Sequence, residues 1–222
     1  MRILIFVDSE NFRGSINELN KERSQDRMID WHKINLFVLD YLRNNLQYLQ
    51  ERLFHVRTYV YTGEYTDGVI RKIEDAISKA KNNEELSRIL ESAKKNRKGQ
   101  QEFYKRAQNY SFFEIRKKPL QFTSAKKIFQ KGVDVQLAVD LVSFAHQNMY
   151  DIAVLFSGDI DLLESVRTVK NLGKQVIIIS HFRNTAVEMK KDADMYVDMQ
   201  TLSDAQLDNV SHQFQKHPSN TS

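Results

Sequence analysis

Hydrophobic positions along the chain fall into short unbroken runs separated by longer amphipathic stretches. Ile3-Leu4-Ile5-Phe6-Val7, Ile152-Ala153-Val154-Leu155-Phe156 and Val176-Ile177-Ile178-Ile179 are continuous, as in strands buried on both faces of a parallel sheet. Val56-Arg57-Thr58-Tyr59-Val60-Tyr61 alternates and is rich in β-branched and aromatic residues, so it reads as a further strand. Phe112–Arg116 and Met195-Tyr196-Val197 predict two more. Between these runs the period lengthens. Ile34, Phe37, Val38, Tyr41, Leu42 and Leu46 keep helical spacing and predict a helix from Trp31 to about Gln50, with Asp30 as its N-cap. Helices are also expected near 9–20, 133–147, 160–172 and 184–191, the third closed by Gly173 in a left-handed conformation. Residues 22–27 read as a polar loop and 119–122 as an extended piece. From 66 to 110 the pattern is charged and helical, with breaks expected at Asn82-Asn83 and Lys98-Gly99. Strands alternating with helices argue an α/β fold around a mostly parallel sheet.

A length of 222 residues allows one substantial core with an inserted elaboration. From Ser203 onward the composition turns polar, so 203–222 is expected to be a tail. No apolar run approaches the roughly 20 residues needed to span a bilayer, and the first run reads as a strand rather than a leader. Cysteine is absent, which excludes disulfides and thiolate zinc sites and fits a reducing, cytoplasmic setting.

Candidate chemistry gathers where the apolar runs stop. The first ends in Asp8, with Asn11 just beyond, and Ile152–Phe156 runs into Ser157-Gly158-Asp159-Ile160-Asp161. Open α/β sheets place their ligands at such carboxyl ends. Asp134 lies at the start of a predicted helix that a parallel sheet can bring to the same crevice. Any one of these acids is explained as well by helix capping or by complementing a helix dipole. Four from three segments are harder to explain that way, because clustered carboxylates repel unless a cation sits among them. Asp140 follows Asp134 by six residues and so points about 120° away around a helix, which favours an outlying role. Asn11 could donate its amide to Asp8 or to a phosphate, or simply start a helix, and Ser157 reads as a cap or an orienting group. His32, His55, His146, His181 and His212 show no paired ligand spacing, and no glycine-rich phosphate loop is present.

Thirty-three basic residues against twenty-nine acidic ones are a weak signal by themselves. Their distribution adds to it. Arg116, Lys117, Lys118, Lys126, Lys127 and Lys131 belong to a basic stretch suited to a polyanion, although each alone could be an ordinary solvated lysine or arginine.

Val7-Asp8-Ser9-Glu10-Asn11, Tyr59-Val60-Tyr61, Lys131-Gly132-Val133-Asp134 through Asp140, and Val154 through Leu162 together resemble NYN domains. These are PIN-like metal-dependent ribonucleases that include the LabA group. The resemblance runs in order to about residue 198 and is carried best by the K-G-V-D and S-G-D-x-D segments. Leu162 stands where the family commonly has phenylalanine, and the helical stretch near 82–110 is an elaboration. The resemblance implies a three-layer α/β/α PIN-like domain over 1–200 that hydrolyses RNA phosphodiesters. Asp8, Asp134, Asp159 and Asp161 would be catalytic and would hold one or two Mg²⁺ or Mn²⁺ ions. Asn11, Ser157 and Asp140 would be auxiliary, and the basic residues would hold RNA. Membrane partners are not expected, and self-association stays open. One alternative is a catalytically silent PIN-like module that binds RNA or protein. A second, a HAD-type phosphatase, wants an aspartate where this chain has Glu10.

Overall fold

The computed structural model describes residues 1–46, 52–80, 84–123 and 125–213. In chain order, β1 (Arg2–Asp8) leads into α1 (Ser9–Arg23), followed by β2 (Arg27–Ile29), α2 (Ile34–Asn45) and β3 (Phe54–Glu64). Two helices, α3 (Asp67–Lys79) and α4 (Glu84–Ala107), precede β4 (Phe113–Pro119) and a small hairpin of β5 (Gln121–Phe122) and β6 (Ile128–Phe129). Then come α5 (Val133–His146), β7 (Ile152–Phe156), α6 (Leu163–Asn171), β8 (Gln175–Ser180), α7 (Val187–Asp192) and β9 (Met195–Asp198). Helix α8 (Asp204–Asp208) and β10 (Ser211–Gln213) follow.

Six strands form the central sheet in the order β4-β3-β1-β7-β8-β9, and every adjacent pair is parallel. The continuous apolar runs are explained by this. Residues 3–7 of β1 are fully buried, with Ile3, Ile5 and Val7 facing α1 and α2, and Leu4 and Phe6 facing α5 and α6. A core on each face makes three layers, as expected. The chain lays β1, β3 and β4 outward on one side, then returns to lay β7, β8 and β9 on the other. Strand order therefore reverses between β1 and β7, and a crevice opens there above the carboxyl ends.

The elaboration has its own small core, in which Val69, Ile70 and Ile73 of α3 meet Ala93 of α4 and Leu120. Helix α4 runs unbroken through Gly99, against the expected break. A single glycine costs a helix only about 1 kcal/mol, and the next residue ties this turn down. The Gln100 amide donates to the Gly63 carbonyl at 2.7 Å and accepts from the Tyr65 N–H at 3.0 Å. The break expected at Asn82-Asn83 and the end of the helix expected at Gln50 lie outside the described residues. Asp30 is not the cap of α2, which begins after Lys33 without a side-chain cap. Its backbone instead joins Val210 and Lys33, its N–H donating to the Val210 carbonyl at 3.0 Å.

Two segments expected to be irregular are structured together. Helix α1 extends over the first residues of the loop expected at 22–27, β2 begins at its last residue and pairs antiparallel with β10 of the tail expected from 203, and Ser203 caps α8 with a capping box. Leu207 and Val210 are fully buried in the α1–α2 core. The fully buried guanidinium of Arg27 pairs with Asp204 at 3.2 Å and Asp208 at 2.5 Å. None of these partners is local, so no window of sequence could reveal them. Arg27→Ala should lower stability by about 2 kcal/mol, the scale of charge-assisted hydrogen bonds. Thermal melts and limited proteolysis would check this, with cleavage appearing first around 203–213.

Candidate active site

The strand-order reversal places Asp8 and the 157–161 turn side by side. Asp8 ends β1 and caps α1, its Oδ1 accepting from the N–H groups of Glu10 at 3.0 Å and Asn11 at 3.2 Å. Ser157 Oγ donates to Asp8 Oδ2 at 3.4 Å and accepts from the Asp159 N–H at 3.3 Å. Asp159 caps the following 3₁₀ turn, its Oδ1 accepting from the Asp161 N–H at 3.0 Å. The capping roles considered from sequence are therefore real. They occupy one oxygen of each carboxylate with backbone donors and leave the other oxygen of Asp159 free of them.

Asn11 joins three elements. Its Oδ1 accepts from the Gly158 N–H at 3.1 Å and from Ser180 Oγ at 3.3 Å, binding α1 to the turns after β7 and β8. Its carboxamide oxygen is thus engaged as an acceptor within the protein. The turn at 181–186 closes the other side. The Gly158 carbonyl accepts from the Ala186 N–H at 3.0 Å, and a methyl group on Gly158 would sit 2.4 Å from the Asn184 carbonyl oxygen. This turn is held by a fully buried histidine that sequence reading set aside as ordinary. His181 Nε2 contacts Glu22 Oε2 at 3.0 Å, its Nδ1 accepts from the Arg183 N–H, and its carbonyl accepts from Thr185 Oγ1 at 2.9 Å. Only its position immediately after a strand end could have pointed to it.

The electrostatics join the four predicted acids. Burial pushes the Asp8 carboxyl up to about 6, against the pull of the Asn11 N–H, and the charge of Asp134 raises it further. Asp134, in the first turn of α5, is also raised, first by burial and then by the charges of Asp159 and Asp161. Among the described residues none of the four has a basic side chain as an ion-pair partner. Such hard, uncompensated oxygen donors fit Mg²⁺ or Mn²⁺ in kind. Their spacing is wider than a closed cage, since among the described residues no three acidic or histidine side chains stand close enough to grip one ion.

Asp140 lies elsewhere. It faces the interior between α5 and β3, accepting from Tyr61 Oη at 2.9 Å and from Arg116 Nη1 at 3.1 Å. It braces the helix that carries Asp134. The same strut occupies Arg116, whose guanidinium also lies 4.9 Å from the Tyr59 ring centroid and pairs with Glu114. Lys117 pairs with Glu64 at 2.8 Å and Lys126 with Glu85 at 2.6 Å. Of the six basic residues expected to meet RNA, Lys118, Lys127 and Lys131 have no ion-pair partner among the described residues.

A solved Vibrio parahaemolyticus protein of unknown function has the same fold at a TM-score of 0.54 and 16% identity, over 95% of this chain and 96% of its own. A Staphylococcus aureus nicotinamidase aligns at 12% identity over 87% of this chain and 97% of its own, but its TM-score of 0.29 carries no argument. No curated protein is significantly similar in sequence. No helix among the described residues is long and apolar enough to cross a membrane. The NYN domain profile matches residues 2–202, which include all four acids and the crevice between β1 and β7, and the chain belongs to the NYN domain family.

Proposed function

We propose that this protein is a metal-dependent ribonuclease that hydrolyses RNA phosphodiesters at Asp8, Asp134, Asp159 and Asp161. NYN domains fall within the PIN-like nuclease superfamily, which supports the class of reaction. The observation that carries the reading is the Asp8 carboxyl, buried at the strand-order reversal, pushed up to about 6, and without a basic side chain as ion-pair partner among the described residues. A group so placed costs stability when ionised, and a divalent ion would relieve that cost.

The four aspartates would hold Mg²⁺ or Mn²⁺, with Asn11 and Ser157 fixing the two turns that present Asp8 and Asp159. When bound, the ion supplies Lewis acidity, acidifying a water and offsetting charge on the phosphoryl oxygens. Asp8 must lose its proton to join in, so ion binding should strengthen as pH rises through about 6. Of the six expected basic residues, Lys118, Lys127 and Lys131 have no ion-pair partner among the described residues and would meet the phosphates. The cysteine-free composition accords with work in the cytoplasm.

The spacing of the acids favours a second reading, a PIN-like module that binds RNA or protein without cutting. One assay separates the two. Purified full chain should cut a labelled RNA in Mn²⁺, stop on chelation, and lose on the order of a hundredfold or more in rate with Asp134→Asn or Asp159→Asn. Cutting that survives both substitutions would overturn this site, and no cutting by the unaltered protein would leave the silent module.

A further inference from the structure

Strand β6 leads directly towards the acidic edge, and its two faces differ sharply. Along residues 127–131 exposure alternates, with Lys127, Phe129 and Lys131 exposed and Ile128 and Gln130 half-buried. Phe129 lies in β6, and the two lysines flank it two residues to either side, on the same exposed phase of that alternation. The other face is anchored. Ile128 pairs with Phe122 and packs on the α3–α4 core. Gln130 lies over Gly63, where a methyl group would come within 3.3 Å of its Cβ. Gly63 is two residues beyond Tyr61, the register partner of Asp8. The strand is thus fixed to the carboxyl edge of β3, and Asp134 follows Lys131 by three residues.

The outward face is chemically distinctive. Phe129 is 40% exposed and belongs to none of the three cores. Lys127 and Lys131, on either side, have no ion-pair partner among the described residues, whereas the adjacent Lys126 is paired with Glu85. An exposed aromatic ring between two uncommitted ammonium groups matches a polyanion with bases to stack, and a base in a duplex has no free face for it.

We propose that Lys127, Phe129 and Lys131 form a platform for single-stranded RNA. Phe129 stacks on one unpaired base, the two lysines hold flanking phosphates, and the strand continues towards Asp134 and Asp8. Delivery of a bond for cutting rests on the ribonuclease reading, while binding does not.

Binding of a short fluorescein-labelled oligouridine to the full chain, in chelator so that nothing is cut, tests the platform. Phe129→Ala should weaken binding about tenfold or more with the salt dependence kept. Phe129→Tyr should restore affinity. The double variant Lys127→Ala/Lys131→Ala should flatten the log–log salt slope by about 0.7 per lysine. Duplex RNA should bind Phe129→Ala as well as the unaltered protein. Unchanged oligouridine affinity in Phe129→Ala, an equal loss on duplex, or no oligouridine binding by the unaltered protein would overturn the proposal. Selective loss in Phe129→Ala without metal-dependent cutting would keep the platform and sink the ribonuclease. Cutting by the unaltered protein, with oligouridine affinity indifferent to Phe129, would do the reverse.

Discussion

Asp8→Asn should make the metal-free protein more stable at neutral pH while abolishing the RNA cutting proposed for it. Asparagine caps helices as well as aspartate does, so the bonds from Glu10 and Asn11 have an acceptor in the variant. What disappears is the buried charge. The carboxyl is raised from 3.8 to about 6 in the folded protein, so above pH 6 it is ionised in both states and the folded state carries the full penalty. Below about pH 4 it is protonated in both and the penalty is gone. Between these values the folded chain binds more protons than the unfolded one, and stability must fall as pH rises. The displacement corresponds to about 3 kcal/mol, and the asparagine amide, itself buried, takes back part of that. A gain of about 1–3 kcal/mol is expected at pH 7.5, several degrees in melting temperature for a chain of this size, fading to nothing near pH 4. Mn²⁺ should raise the melting temperature of the unaltered protein and leave the variant nearly unmoved. Melts at the two pH values, with and without Mn²⁺, decide it. A variant less stable at pH 7.5 would make Asp8 a structural cap rather than a charge awaiting a cation.

Gly158→Ala should disable the site by a steric route. The added methyl group would meet the Asn184 carbonyl oxygen at 2.4 Å and Thr185 Cα at 2.5 Å, both backbone atoms that no rotamer change can move. Either the 157–161 turn or the 181–186 turn must shift. The first carries Asp159 and Asp161, and the second is pinned by buried His181 and its Glu22 contact. Overpacking of this kind costs about 1–3 kcal/mol, and a displacement near 1 Å at a reacting centre costs about a hundredfold in rate. Residual folded activity, measured below the melting transition of the variant, separates the two effects. Unaltered turnover would mean that the turn position does not matter to the chemistry.

The centre of the sheet was legible because its strands state their burial locally. Residues 3–7 and 152–156 are apolar at every position, as strands buried on both faces must be, and the amphipathic helices between them require parallel crossovers. Asp8 and Asp159 could be placed for the same reason, since a polar residue closing an apolar run marks the carboxyl edge, whereas Asp134 was placed by the helix start after Gly132. What could not be read were groups whose role depends on a distant partner. Arg116 and Asp140 look like a surface cation and a rim acid, and they form an interior strut because β4 passes beside α5. Lys117 and Lys126 look as free as Lys127, until folding brings Glu64 and Glu85 to them.

Taken alone, the sequence determined the six strands of the central sheet, the helices between them, their parallel arrangement and the strand ends that carry Asp8 and Asp159, because each follows from periodicity within a few neighbouring residues. Tertiary structure decided the rest. It paired residues 27–29 with 211–213, buried His181 in the neighbouring turn, made Asn11 the joint between α1, the turn after β7 and the end of β8, and left only some of the lysines without ion-pair partners among the described residues. These outcomes turn on contacts between residues as many as 184 positions apart. Such contacts carry no local signature, since the partner that satisfies a side chain is chosen only when the chain closes on itself.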